Sequence, residues 1–314
     1  MIRNSVVALA GGVGAARFLD GLTRVLAPDR ILIIGNTGDD AEIHGLHVSP
    51  DLDTVTYTLA GLADTQRGWG LRGDSFRCLE ALGKFGPEIW FQLGDRDLAT
   101  NLYRTQRLSE GVRLTEITAE ISTALGVRSQ IVPMSDDRVR TRICTPTGEL
   151  EFQTYFVKRR ARDSVVSVRF EGASEATPAR GVIDAIAMAE VIILCPSNPF
   201  ISIGPILAVR GVREVLQSKR DRVVAISPIV GGRALKGPAA RMMKSMRLRP
   251  AAAEVARLYS DIVSVFVMDE VDRKQVALVE KLGMRPVVTN TIMLGLRERK
   301  YLARVVVREL GIDP

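Results

Sequence analysis

Between Ile31 and Gln66 the chain carries six carboxylates and no lysine or arginine: Asp39, Asp40, Glu42, Asp51, Asp53 and Asp64. Acids gathered without local counter-charge repel one another unless solvent, a cation or a basic group from elsewhere compensates. Oxygen-only donors of this kind suit Mg²⁺, which takes one or two carboxylates and completes its shell with water and substrate phosphates. Asp40, Asp53, Asp39 and Asp51 are therefore the candidate metal ligands. The same residues also admit a local reading. Ser49-Pro50-Asp51 has the form of a helix start, with a capping serine, proline in the first turn and acids that suit the helix dipole. Both readings stand for Asp39 and Asp51, whereas Asp40 and Asp53 favour the cation. The only histidines, His44 and His47, lie in this stretch three residues apart and read as solvated loop residues. Proton transfer is then left to a carboxylate.

A second candidate lies upstream. Gly11-Gly12-Val13-Gly14 follows an apolar run and opens a segment of helical period, where backbone N–H groups and the helix dipole can meet a phosphate. Arg17 stands where a dinucleotide fingerprint needs its third glycine, and no Gly-Lys-Ser/Thr is present, so neither the nicotinamide nor the Walker pattern is complete. Two later loops, Pro196 to Pro205 and Ser227 to Gly232, also follow apolar runs; Ser197, Asn198 and Ser202 offer donors to a phosphate or a base. Trp69, between two glycines, is placed either to stack on a flat ring or to anchor its turn. Leu93-Gly94-Asp95-Arg96-Asp97 and Met134-Ser135-Asp136-Asp137-Arg138 read equally as ion pairs or caps and as site residues.

The elements that must position these groups follow from periodicity. Ser5–Ala10, Ile31–Ile34, Val191–Leu194, Val223–Ile226 and Val263–Val267 are apolar runs that read as buried parallel strands, with a last short strand near Val287. Ala15 to Leu26, Val182 to Ala189, Ala251 to Tyr259, Val271 to Leu282 and Leu294 to Leu310 carry apolar residues at helical spacing. The expected fold is α/β and Rossmann-like: a mostly parallel, doubly wound sheet with helices on both faces. Residues 73–125 read as helical throughout, and alternation in 139–171, including Leu150 to Val157, predicts three antiparallel strands. One domain over 1–314 is expected, with the helical and small β element inserted at about 60–175.

Composition sets the remaining bounds. At 46% hydrophobic and 25% charged residues this is a globular chain, and no apolar run reaches the roughly 20 residues of a membrane span. The apolar start runs into the glycine loop and reads as a strand, not a secretory signal, so the cytoplasm is the expected compartment. Cys78, Cys144 and Cys195 are far apart and form neither a disulfide framework nor a zinc site. The net charge of +7 hints at anionic partners, but the basic clusters are short and lack interleaved aromatics, so nucleic acid is not expected.

Taken in order, Gly11 to Gly14, Asn36-Thr37-Gly38-Asp39-Asp40, Ser49-Pro50-Asp51-Leu52-Asp53-Thr54, Leu93 to Asp97, Met134 to Asp137, and Pro196-Ser197-Asn198-Pro199 through Ser202-Ile203-Gly204-Pro205 resemble the CofD family. These are the 2-phospho-L-lactate transferases of deazaflavin coenzyme F-420 biosynthesis, and the resemblance runs from about residue 6 to 232. It implies a Mg²⁺-dependent transfer of a phospholactyl, phosphoenolpyruvyl or phosphoglyceryl group from its GDP-activated donor to the deazaflavin Fo, with release of GMP. On matching positions it implies Asp53 and Asp40 as catalytic residues, and Asp53 and Gln92 as contacts to Fo. Gly11, Gly12, Gly14, Ser197, Asn198 and Ser202 would hold the GDP moiety. Glu42 stands where family members often have an aromatic residue, and Trp69 is the candidate replacement beside the deazaflavin ring. The resemblance is compatible with a homodimer. The related gluconeogenesis-factor proteins, nucleotide-sugar-binding regulators, are the alternative, and the Ser49–Thr54 motif argues against them.

Overall fold

The computed structural model describes residues 5–309, 311 and 312. Its centre is a sheet of seven parallel strands: β1 (Val6–Ala10), β2 (Ile31–Gly35), β3 (Gln130–Pro133), β4 (Val191–Leu194), β5 (Val223–Ile226), β6 (Val265–Asp269) and β7 (Arg285–Thr289), in the spatial order β7-β6-β5-β4-β1-β2-β3. The strands read as continuous apolar runs because both faces are covered. Val7, Leu9, Leu32 and Ile34 enter one core, under the helices Val182–Met188, Val212–Ser218 and Ala252–Leu258. Val6, Ala8, Ile31 and Ile33 enter the other, under α1 (Gly12–Leu22) and the closing helix Leu296–Glu309. The expected α/β architecture is the one observed. Residues 1–4 and Leu310, at the ends of the expected first strand and last helix, lie outside the described residues.

The chain leaves β1 toward β2 on one side, while β4 lies against its other side. That reversal opens a crevice beyond the carboxyl ends of β1 and β4, the place where sheets of this type bind ligands. Both outermost strands hold a proline, Pro133 in β3 and Pro286 in β7. The neighbouring N–H groups of Met134 and Arg285 donate inward, to Gly35 and Ser264, so the proline nitrogens face outward.

Four sequence expectations need correction. The span 60–175 is not one insertion, because β3 within it completes the main sheet beside β2. It divides into a helical part before β3 and an antiparallel sheet after it, formed by Arg140–Thr145 between Gly148–Glu151 and Ser167–Glu171. Residues 73–125 are not helical throughout: the helices Arg77–Gly83, Asp95–Ser109 and Leu114–Ala124 are separated, and the chain from Gly86 to Gly94 is irregular. Leu150 to Val157 is not a single strand, since Thr154–Lys158 forms a wide-turned helix. Phe152 and Tyr155 enter a small core with Ile143 and Met242, and Phe152 stacks on Phe156. Three- and four-residue spacings of that kind belong to a helix and outweigh the apparent alternation. Between Glu270 and Glu280 the expected helix is a 3₁₀ turn followed by a short α-helix.

Candidate active site

A cavity of about 530 Å³ opens at the crevice between β1 and β4. Its wall holds Gly11, Gly12, Gly14, Asp39, Asp51 and Asp53 together with Trp69, Gln92, Ser197, Asn198 and Ser202. Asp40 is not on this wall; it neighbours Asp39 and Asp53, whose charges feel it, and accepts from Ser49 at the start of the helix that carries Asp51 and Asp53. Loops that follow different strands thus meet, as expected of a parallel sheet.

The glycines are required by close approach. A Cβ on Gly14 would lie 2.2 Å from the Pro196 carbonyl oxygen, so this glycine lets α1 seat against the loop after β4. A Cβ on Gly11 would lie 2.5 Å from Asp51 Oδ2. The start of α1 is therefore in contact with a carboxylate of the protein itself, which also accepts a hydrogen bond from the Gly12 N–H. Asp51 comes from α2 (Pro50–Leu59), which begins with the expected proline. Its serine does not cap, however: the Ser49 hydroxyl donates to Asp40 Oδ2 at 2.9 Å.

Asn36 joins the carboxylates. Its Nδ2 donates to Asp51 Oδ2 at 2.8 Å, to Asp39 Oδ1 at 3.3 Å and to the Ile201 carbonyl at 3.1 Å, while its Oδ1 accepts from the Gly38 N–H at 2.8 Å. Burial, with the charges of Asp51 and Asp40, holds Asp39 well above the usual carboxylate range, and burial lifts Asp51 to about 7. Asp40 accepts from His47 Nε2 and Ser49 on one oxygen, and its buried Oδ1 has no partner among the described residues. His47 is thus a half-buried partner of a site carboxylate, contrary to the solvated reading. It sits on a small hairpin, Ala41–Ile43 with Leu46–Val48, that folds it back over Asp40.

Asp53 has a different environment. Arg104, only 2% exposed, reaches it from the Asp95–Ser109 helix and forms an ion pair. The same guanidinium donates to Asn101 Oδ1 at 2.8 Å and to the His47 carbonyl at 3.3 Å. Burial and Asp40 push Asp53 upward against the pull of Arg104. Beside it Tyr57, one turn along α2, donates to Asp97 Oδ1 at 2.8 Å, and burial raises Asp97 to about 7. Asp97 therefore belongs to the site, whereas Asp95 accepts from the Arg77 and Cys78 N–H groups and starts a neighbouring helix. Asp136 and Asp137 bind Thr115 and Thr177 and hold loops together.

Sequence reasoning missed Arg104, Asn101 and Tyr57. A signal existed: Asp97, Asn101 and Arg104 repeat at four and three residues, a polar stripe on the face that the helix buries. Aromatic surface was also missed. Phe91, Phe152 and Phe156 line the cavity with Trp69, which is 40% exposed, meets Phe76 edge-on and lies under the Arg67 guanidinium. Glu42 is exposed on the hairpin and does not reach the cavity wall. Asn198 turns its Oδ1 to the Phe200 N–H within its own loop, while the buried Ser197 hydroxyl on the wall has no partner among the described residues.

The carboxylates can be tested as a cation site. Among the described residues no three acidic, histidine or cysteine side chains converge into a ready-made cage. Yet the unpartnered Asp40 Oδ1 and the upward shifts of Asp39 and Asp51 mark a cluster whose negative charge the nearby Arg140 and Arg104 do not fully offset. That fits an ion taking one or two carboxylates and drawing its other ligands from water and substrate.

Comparison with known proteins identifies the family. Residues 6–306 match the family described as 2-phospho-L-lactate transferase CofD. A 2-phospho-L-lactate transferase of Methanosarcina mazei is 37% identical, covering 96% of this chain and 99% of its own. A phosphoenolpyruvate transferase of Streptomyces griseus is 43% identical, covering 95% and 96%. A solved member of the UPF0052 family from Bacillus halodurans superposes with a TM-score of 0.65 at 17% identity, covering 96% of this chain and 98% of its own, a likeness of fold. No described helix is long and apolar enough to cross a membrane. By motif order, fold and similarity along nearly its whole length, the chain belongs to the CofD family of transferases.

Proposed function

We propose that this protein transfers a phospho-three-carbon-acid group from a GDP-linked donor to the deazaflavin Fo in a Mg²⁺-dependent reaction, releasing GMP. The observation that carries the reading is the meeting, in one cavity, of a charge-deficient carboxylate cluster with an aromatic wall. The first suits a diphosphate and its cation, the second a flat ring. Asp40, Asp39 and Asp51, with Asp53, would hold Mg²⁺, which when bound would neutralise the diphosphate and the charge gathering on the departing GMP.

The chain's own residues do the rest. Asp53, fixed by Arg104, accepts the proton of the terminal ribityl hydroxyl as its oxygen bonds to the phosphorus that bears the acid. The bond from that phosphorus to the GMP oxygen breaks, and GMP leaves with the electron pair. Trp69, Phe91 and the stacked Phe152 and Phe156 hold the ring, with Gln92 at its edge; Ser197 offers its unpartnered hydroxyl to the donor. Of the three acids, identity of 43% to the Streptomyces griseus phosphoenolpyruvate transferase, against 37% to the Methanosarcina mazei enzyme, favours phosphoenolpyruvyl.

The test offers wild type and Asp53→Asn each of the three GDP-linked donors with Fo and Mg²⁺, following GMP and a more acidic deazaflavin. Wild type should turn over, fastest with the phosphoenolpyruvyl donor, and the variant should be slower by about 10²–10⁴-fold. A wild type that binds nucleotide but neither binds nor converts Fo would overturn the proposal in favour of a nucleotide-binding regulator.

A further inference from the structure

Among the described residues three cations line the cavity, Arg17, Arg67 and Lys236, and their situations differ. Arg67 is paired with Asp64 at 3.0 Å. Arg17 and Lys236 have no hydrogen-bonded or ion-paired carboxylate among the described residues. Each instead feels like charge. Burial and Arg17 push the Lys236 ammonium down, and burial and Arg299 lower Arg17. Lys236 lies against the Trp69 loop, its Nζ 2.4 Å from where a Cβ on Gly68 would stand. Arg17 projects from the first turns of α1, close enough for its charge to be felt at Lys236.

The rest of the wall is hostile to a carboxylate. Asp39, Asp51, Asp53 and Asp97 already line it, and Asp51 lies against the glycine loop at the start of α1, where an anion would otherwise find N–H donors. The group to be transferred nevertheless carries a carboxylate in all three donors considered. We propose that Arg17 and Lys236 form a carboxylate subsite that binds the acid of the transferred three-carbon unit, an inference that rests on the transferase reading above. The guanidinium fork matches the two oxygens of a carboxylate, and the ammonium adds a second charge from another loop. The break in the dinucleotide fingerprint at Arg17 acquires a purpose on this view. Because the acid group is common to lactyl, enolpyruvyl and glyceryl units, the subsite recognises the class and leaves discrimination of methyl, methylene and hydroxyl to other contacts.

Equilibrium titration of deazaflavin fluorescence tests this with three ligands: Fo, Fo 5′-phosphate, which has the phosphate without the acid, and the full transfer product. Arg17→Gln should weaken the product by on the order of tenfold or more, leaving Fo and its phosphate within about twofold. Lys236→Gln changes an exposed side chain that the fold does not need, and should shift the product alone in the same direction by a smaller factor. Arg17→Lys should recover part of the loss. Equal weakening of Fo 5′-phosphate and product would mean that the pair reads phosphate, and would overturn the inference, as would product affinity unchanged in both glutamine variants. A folded wild type that binds none of the three ligands would instead strike the transferase reading itself.

Discussion

Asp51 and Asp53 stand two residues apart on the same short helix, equally buried, yet the protein treats them in opposite ways. Asp53 meets a full positive charge, Arg104, delivered from the helical region between β2 and β3. Asp51 meets only the amide of Asn36 and the Gly12 N–H, and shares its surroundings with Asp39 and Asp40. One carboxylate is given a counter-charge and oriented by the fold. The other is left short of charge, a condition that a bound cation would relieve. A buried carboxylate with its own arginine suits a task that needs fixed geometry, whereas one without suits a task in which the missing charge arrives with the ligand.

Removing the compensating charge should have the largest effect. Arg104→Met leaves Asp53 buried and alone, and should cost about 3–5 kcal/mol of stability, read as a fall in chemical-denaturation midpoint, together with loss of transfer. If stability hardly changes, the contrast between the two aspartates is weaker than their surroundings suggest.

Titration sharpens the other side. A carboxyl whose folded pKa is raised holds its proton more tightly in the folded chain than in the unfolded one. Its contribution is therefore greatest below about 3.8 and is lost as pH rises toward about 7. Metal-free wild type should lose stability relative to Asp51→Asn across that window, by up to about 4 kcal/mol at pH 8. Thermal melts from pH 5 to 8 would show it, and added Mg²⁺ should restore wild type most at the upper end while doing little for the variant.

Asn36→Ala removes the amide that joins Asp39, Asp51 and the loop after β4. A loss of about 1–3 kcal/mol is expected, with weakened cation affinity by calorimetry. The smallest effect belongs to the aromatic wall. Trp69→Ala should lower the melting temperature only slightly, because its contacts with Phe76 and Arg67 are peripheral, and should weaken Fo by about 0.5–1.5 kcal/mol, the worth of an aromatic contact.

The same contrast explains what could be read from the sequence. The buried strands and the loops that follow them were legible because continuous apolar runs and interposed glycines are local signals. The acidic stretch was legible because the absence of lysine and arginine from Ile31 to Gln66 needs no structure to see. Arg104 was not, because its meaning depends on a partner 51 positions away in a different element. His47 was misread for a related reason: only the hairpin that carries it shows that it folds back onto Asp40. In the 139–171 region, period-two alternation and the three-residue step from Phe152 to Tyr155 competed over a few residues, and the packing of Tyr155 into a core decided the outcome.

The two prolines at the sheet's outer strands carry a consequence for behaviour in a crowded solution. An open sheet ends in two rows of backbone groups that could template a foreign strand, and from there a fibril. At Pro133 and Pro286 the outward row lacks a donor, because the ring occupies the nitrogen that would have offered it. A strand arriving at either margin would find its ladder interrupted. The same prolines that fit the outermost strands of this fold thus act as gatekeepers against runaway β-stacking, and steer self-association toward surfaces other than the sheet margins.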